Sequence, residues 1–221
     1  IYVLGKAIVD ACEKLLKRLE INAAEMLSCE PEELGHKDGM LFVVSEPERR
    51  VSYSDVSYYV ANMGQEALFI THTNVPESNP GPVAEHFAEV EVDTETGIIE
   101  VKKMVESCDP GHIVNPELYK AQVEGGMMQA LGTVLFEELK LKDGKVLNKS
   151  FVDYKIPTID NAPETFIAMG VEHPEETGPY GARGIGEPAM VPGAPAIANA
   201  IYNATGCRFT EMPITPERML K

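Results

Sequence analysis

Apolar residues recur at helical spacing from the start of the chain. Val3, Leu4, Ala7, Ile8, Ala11, Leu15 and Leu19 share one side, with Lys6, Asp10, Lys14, Lys17 and Arg18 mostly on the other. This predicts an amphipathic helix over residues 1–19, followed by a second over residues 21–27. Pro31 marks a boundary, and Lys37, Asp38 and Gly39 read as a turn into a strand over residues 40–44. Ser54 is placed to cap a short helix over residues 55–61, which Gly64 would end. Residues 74–82 hold three prolines, one glycine and two asparagines, the strongest internal boundary in the chain.

Beyond that boundary, residues 86–93 alternate in places as a half-buried strand does. Residues 94–97 read as a hairpin turn and residues 98–105 as the returning arm. Phe87, Val90 and Val92 supply apolar positions on one arm, and Ile98, Ile99, Val101 and Val105 on the other. Asn115, Pro116 and Glu117 form a strong helix start: Asn caps, Pro fits the first helical position, and Glu suits the positive end of the dipole. That helix is predicted to run to Leu139. Strands are predicted over residues 150–156 and 165–171, a Gly/Pro-rich stretch over 174–195, and a small-residue helix over 194–204. Thr215 is placed to cap a last short helix. The pattern predicts an α+β fold of two lobes, residues 1–82 and 83–221, each of antiparallel sheet packed with helices.

Composition narrows the function classes. The 221 residues are 44% hydrophobic and 24% charged, near the globular norm, which excludes a disordered tail, collagen or a coiled coil. Lys+Arg is 19 against Asp+Glu 35, a net charge of −16, so neither a nucleic acid backbone nor an anionic membrane surface is an expected partner. No apolar run approaches the ~20 residues of a membrane span. Lys6, Asp10, Glu13 and Lys14 interrupt any leader-like run. The chain opens on Ile1 rather than Met and reads as a piece of something longer. Cys12, Cys29, Cys108 and Cys207 are scattered without CxxC spacing, as expected of thiols in a reducing, cytoplasmic setting. The five histidines show no i, i+3 or i, i+4 pairing, and neither HExxH nor GxSxG is present. No metal site built from the chain's own side chains is expected.

Two stretches break the local rules, and such breaks concentrate at sites. The helix after Asn115 carries Gly125, Gly126 and Gly132, although a mid-helix glycine costs about 1 kcal/mol against alanine. Gln122, Gly126, Gln129 and Thr133 form one small, polar stripe, suited to a polar ligand or to another backbone. Close helix packing with Gln122 at the surface explains the same spacing. The second stretch, residues 178–188, reads Gly-Pro-Tyr-Gly-Ala-Arg-Gly-Ile-Gly-Glu-Pro. Its spacing is neither a dinucleotide fingerprint nor a phosphate-binding P-loop. Glu187 at its end is placed as a general base, and equally as a surface carboxylate or a helix-terminal charge. Asp109 followed by Gly111 reads as a turn.

Several motifs fall in order along the second half. They are Glu89, Val90, Glu91, Val92 and Asp93; Thr96 and Gly97; Asp109; Asn115 and Pro116; and Gln122 to Gly126. Asp153 to Pro157, Gly181 to Pro188 and Pro213 to Pro216 follow at matching spacing. Together they resemble the C-terminal part of the molybdenum-cofactor subunit of the xanthine dehydrogenase/aldehyde oxidase family, over residues 83–220. The first helix also resembles the helix that opens that segment. The resemblance implies that the fold is part of a larger molybdopterin-binding domain, with the metal held by the dithiolene of the pterin rather than by protein side chains. It implies hydroxylation of a purine-like N-heterocycle or an aldehyde, with Glu187 as the base toward Mo–OH. Gln122 and Gly186 are implied as cofactor contacts.

Upstream cofactor loops and pocket residues of that family are absent here, and nothing resembles its iron–sulfur or flavin domains. The chain is therefore expected to act only with the remaining part of the molybdenum-binding subunit and with iron–sulfur and flavin subunits or domains, and to be empty of cofactor on its own. A structural or cofactor-assembly homologue without activity is the alternative.

Overall fold

The computed structural model describes residues 1–63, 67–76, 78 and 80–221. Its contacts divide the chain into two compact units, Ile1–Glu77 and Ser78–Lys221, at a point inside the proline-rich stretch. In the first unit α1 (Tyr2–Leu27) is one continuous helix where two were predicted, because no breaker stands between residues 19 and 21. Ser28 ends it in the left-handed conformation, and the Ser28 and Cys29 amides close back on the Glu25 and Ala24 carbonyls. Strands β1 (Leu34–Lys37), β2 (Met40–Val43) and β3 (Glu46–Ser52) form an antiparallel meander. Next comes α2 (Tyr53–Asn62), which begins earlier than predicted, because Ser52 rather than Ser54 is the cap. Ser52 Oγ accepts the Asp55 amide at 3.0 Å, and the Asp55 carboxylate reaches back to Ser52. Leu19, Ala23, Leu41 and Val56 form this unit's core. The predicted stop at Gly64 lies outside the described residues.

The second unit is built on the hairpin of β4 (Val83–Val92) and β5 (Ile99–Asp109). Its turn is held by Asp93 Oδ1, which accepts the Glu95 and Thr96 amides, and by Gly97 at φ 76°. Two long helices, α3 (Pro116–Leu135) and α4 (Gly193–Thr205), share its core. Met104, Val123, Met127, Leu131, Ile197 and Ile201 lie at the centre of that core. A small hairpin of β6 (Leu141–Lys142) and β7 (Lys145–Val146) follows α3, and a short α5 (Pro216–Met219) closes the chain. Strand β8 (Thr165–Gly170) joins the free edge of β5 in parallel, the one exception among the described strand pairs to the antiparallel pairing expected. The fold class is α+β.

One residue alters the faces of the hairpin. Glu89 pairs with Lys103 but Val90 pairs with Val101, so Lys102 is an extra residue on β5. Val101 is buried before the bulge, and Met104, Glu106 and Cys108 after it. Simple alternation would have put Val105 inside and Glu106 outside. Phe87, counted among the apolar positions of the hairpin, is 60% exposed, because Ala84, His86 and Ala88 take the inward positions of β4.

Two further expectations are corrected. Helix α3 stops at Leu135, not Leu139, where the Gly132 carbonyl accepts the amides of both Phe136 and Glu137. Residues 150–156 are turns rather than a strand: the Asp153 and Tyr154 amides both bond back to the Ser150 carbonyl. Tyr154 then donates its hydroxyl to Glu137 at 2.7 Å.

Candidate functional site

The two rule-breaking stretches meet each other. Asn115 Oδ1 caps α3 by accepting the Leu118 amide at 3.0 Å, which sets the phase of the helix. One turn on, Gln122 Nε2 donates to the Gly186 carbonyl at 2.9 Å. At the next turn a Cβ on Gly126 would lie 2.7 Å from the backbone and Cβ of Ala189. At the turn after that, Ala130 faces the Cα of Gly193, where α4 starts. The contacting stripe is therefore Gln122, Gly126 and Ala130. Gln129 is exposed, and Thr133 spends its hydroxyl on the Gln129 carbonyl.

Glu187 opens a tight turn, Glu187–Ala189, in which the Met190 amide closes on the Glu187 carbonyl at 2.8 Å. Its side chain is exposed, beside an open depression lined by Pro82, Ala84, Pro188, Val191 and Pro192. Among the described residues nothing engages the Glu187 carboxylate. Glu187, Gly186 and Gln122, named from the sequence, thus lie together at one surface.

The glycines there fall into two kinds. Gly126 is required by a close approach within the chain. Gly125, Gly184 and Gly186 are not: none has a positive φ, and a Cβ on any of them meets nothing within 4 Å. Bare backbone flanking Gln122 and Glu187 leaves room for a group that is not part of this chain. No cluster of His, Cys, Asp and Glu suited to a metal ion occurs among the described residues.

Sequence reading missed what holds the loop. Arg183 Nη1 lies 3.3 Å from Asp109 Oδ2 at the end of β5, and Nη2 lies 3.5 Å from Glu175 Oε2. Burial alone pushes the Asp109 carboxyl up. The Gly111 and His173 amides and the charge of Arg183 together outweigh it and hold the group below its ordinary value. Glu175 is also held low, first by the Thr177 hydroxyl and amide and then by Arg183. Also missed was a buried pair beneath α4. His86 Nε2 lies 2.8 Å from Glu106 Oε2, with both side chains fully buried. The contact is poorly angled for a hydrogen bond, and His86 Nδ1 abuts the Cα of Gly193. The bulge at Lys102 conceals this pair, because it turns Glu106 inward.

Residues 1–163 match the family described as the molybdopterin cofactor-binding domain. The chain belongs to that family. It is 33% identical, over 99% of its length, to a putative xanthine dehydrogenase molybdenum-binding subunit of Escherichia coli (strain K12), of which it covers 30%. It is 30% identical, again over 99% of its length, to the nicotine 6-hydroxylase large subunit of Paenarthrobacter nicotinovorans, covering 28% of it. Among solved structures, quinoline 2-oxidoreductase from Pseudomonas putida 86 superposes with a TM-score of 0.82 at 28% identity, over 95% of this chain and 28% of that one. The chain thus spans less than a third of the length of these relatives. The family match ends before the loop that carries Glu187, whereas the likeness to the two subunits extends across nearly the whole chain.

Proposed function

We propose that the chain forms the C-terminal, cofactor-facing part of a molybdenum hydroxylase acting on a purine-like N-heterocycle or an aldehyde. The observation that carries this reading is the bare backbone at Gly125, Gly184 and Gly186 beside Gln122 and an unengaged Glu187. When bound, the molybdenum–pterin group supplies the oxidising centre. Gln122 holds the Gly186 carbonyl and so fixes the last peptide before Glu187. The Gln122 amide and the Gly186 backbone face the group. Glu187, exposed at the end of the loop, would accept a proton on its carboxylate as the nucleophile forms. Electrons leave through iron–sulfur and flavin subunits or domains. The four free cysteines suit a reducing, cytoplasmic setting.

The test is Glu187→Gln in the full-length, cofactor-loaded enzyme. Molybdenum content is expected to stay near wild type, while turnover per molybdenum falls by ~10²–10⁴, the usual worth of a general base. Gln122→Ala is expected to lower cofactor content first and to change turnover per bound molybdenum much less. Turnover near wild type in Glu187→Gln would remove the base, and an inactive homologue would show no turnover in any variant.

A further inference from the structure

We propose that Arg183 is a positioning residue for Glu187, acting as a two-armed clamp on the glycine loop. This rests on the reading of Glu187 as the base. The loop between Gly181 and Glu187 contains three glycines, and such a segment has much backbone freedom to lose. Glycine alone cannot hold a carboxylate in place.

Two anchors bracket the reactive end. On the far side, Gln122 holds the Gly186 carbonyl. On the near side, hydrogen bonds and ion pairs fix Arg183 and the residues just before it, and Ile185 packs against the core. The Arg183 amide donates to the Pro110 carbonyl at 2.7 Å. The His112 and Glu175 amides both donate to the Gly181 carbonyl, at 2.8 and 2.9 Å. Across these backbone links lies the guanidinium, its side chain 17% exposed. One arm reaches Asp109 on β5, a strand of the core sheet, and the other reaches Glu175 in the loop before. Asp109 Oδ1 also accepts the Gly111 and His173 amides, so the anchor on the β5 side is itself pinned. A planar fork that meets two carboxylates on separate segments sets an orientation as well as a position; a lysine ammonium reaches only one of them well.

From Arg183 to Glu187 is four residues, and Gly184 and Gly186 within them have no packing neighbour at Cβ. Slack at Arg183 therefore reaches Glu187 through two bare glycines, checked on the way by the packing of Ile185 against the core and by the Gln122–Gly186 hydrogen bond. A displacement of 1 Å at a reacting group can cost ~100-fold in rate.

The experiment compares Arg183→Met, Arg183→Lys, Asp109→Asn and Glu187→Gln in the full-length, cofactor-loaded enzyme. It reads amide hydrogen exchange over residues 181–187, molybdenum content, and kcat per molybdenum and KM with hypoxanthine and benzaldehyde as probes. In Arg183→Met, exchange over residues 181–187 is expected to quicken at least ~10-fold, with the protection of α3 and β5 unchanged. Turnover per molybdenum is expected to fall by up to ~100-fold at nearly constant KM. Arg183→Lys should recover part of both effects. Asp109→Asn, which keeps the amide acceptor but loses the charge, should fall between wild type and Arg183→Met. Unchanged exchange in Arg183→Met overturns the clamp, whatever Glu187→Gln does. Faster exchange with full turnover per molybdenum, while Glu187→Gln is inactive, overturns the positioning role. Full turnover in Glu187→Gln removes the base instead, and leaves the clamp to be judged on exchange alone.

Discussion

Gly125 and Gly126 are neighbours on α3, yet they are glycine for different reasons. A Cβ on Gly126 would meet the carbonyl carbon, oxygen and Cβ of Ala189 at 2.7 Å, all on a tight turn that cannot yield without moving Glu187. A Cβ on Gly125 meets nothing. Gly126→Ala is therefore expected to destabilise the fold by ~1–3 kcal/mol, as overpacked cores do. Gly125→Ala is expected to stabilise it by up to ~1 kcal/mol through helix propensity. Urea unfolding midpoints of the two variants separate these outcomes. If the bare face at Gly125 receives the cofactor, Gly125→Ala in the full-length enzyme will also carry less molybdenum despite its greater stability. Loss of stability in both variants would mean that the two glycines serve packing alike. Chemistry at Cys108 follows from the same close packing: burial, then the Glu106 and Asp109 charges, push its thiol up to about 12, which keeps it an unreactive core residue.

At the scale of elements, what matters is how a loop without regular structure is fastened to a sheet. Asp109 at the end of β5 and Glu175 in the loop both have folded values below the ordinary carboxylate value. Groups depressed in this way stabilise the fold above their unfolded value, and that stabilisation is lost as pH falls through the lowered folded value. The contribution of the Arg183 clamp is thus expected to be full near neutrality. It should decline as pH drops below about 4 and continue to fall beyond that. The urea midpoint of wild type measured against Asp109→Asn/Glu175→Gln checks this. The gap between the two should be widest near neutral pH and shrink toward acid. A gap that widens toward acid would show that these carboxylates are not held low by folding. Beneath α4, the buried side chains of His86 and Glu106 approach to 2.8 Å, and the single extra residue Lys102 puts Glu106 there.

At the scale of the molecule, large apolar side chains remain outside. Phe151 is 78% exposed and Ile159 is 86% exposed, on the irregular segment after the small β6–β7 hairpin, with Val152 and Leu147 near them in sequence. The chain spans less than a third of its relatives' length. The 221-residue chain expressed alone is therefore expected to bind a hydrophobic dye, to self-associate as salt screens its −16 charge, and to purify without stoichiometric molybdenum. Phe151→Ser/Ile159→Ser should reduce the dye binding. Elemental analysis settles the last point: stoichiometric molybdenum in the isolated chain would show that no upstream segment is needed to hold it.

Local chemistry was readable from the sequence wherever neighbours along the chain decide it. The helix start at Asn115 and Pro116 is set by capping and fixed φ, and the Asp93 to Gly97 turn by side chain–amide bonds two and three residues apart. The two stretches that carry Gln122 and Glu187 could be singled out because glycines in a helix and a glycine-rich loop break local rules; the roles of Gln122, Gly186 and Glu187 came from the family resemblance. Tertiary structure alone decided that these two stretches touch, through Gln122 and Gly186 and through Gly126 and Ala189. It alone placed Arg183 between Asp109 and Glu175, separated from them in the chain by 74 and 8 residues respectively. It also decided the inward turn of Glu106, since one bulged residue reverses the faces of a strand without altering the composition around it. Spacing reports which residues share a face. Only the packed fold determines what that face meets.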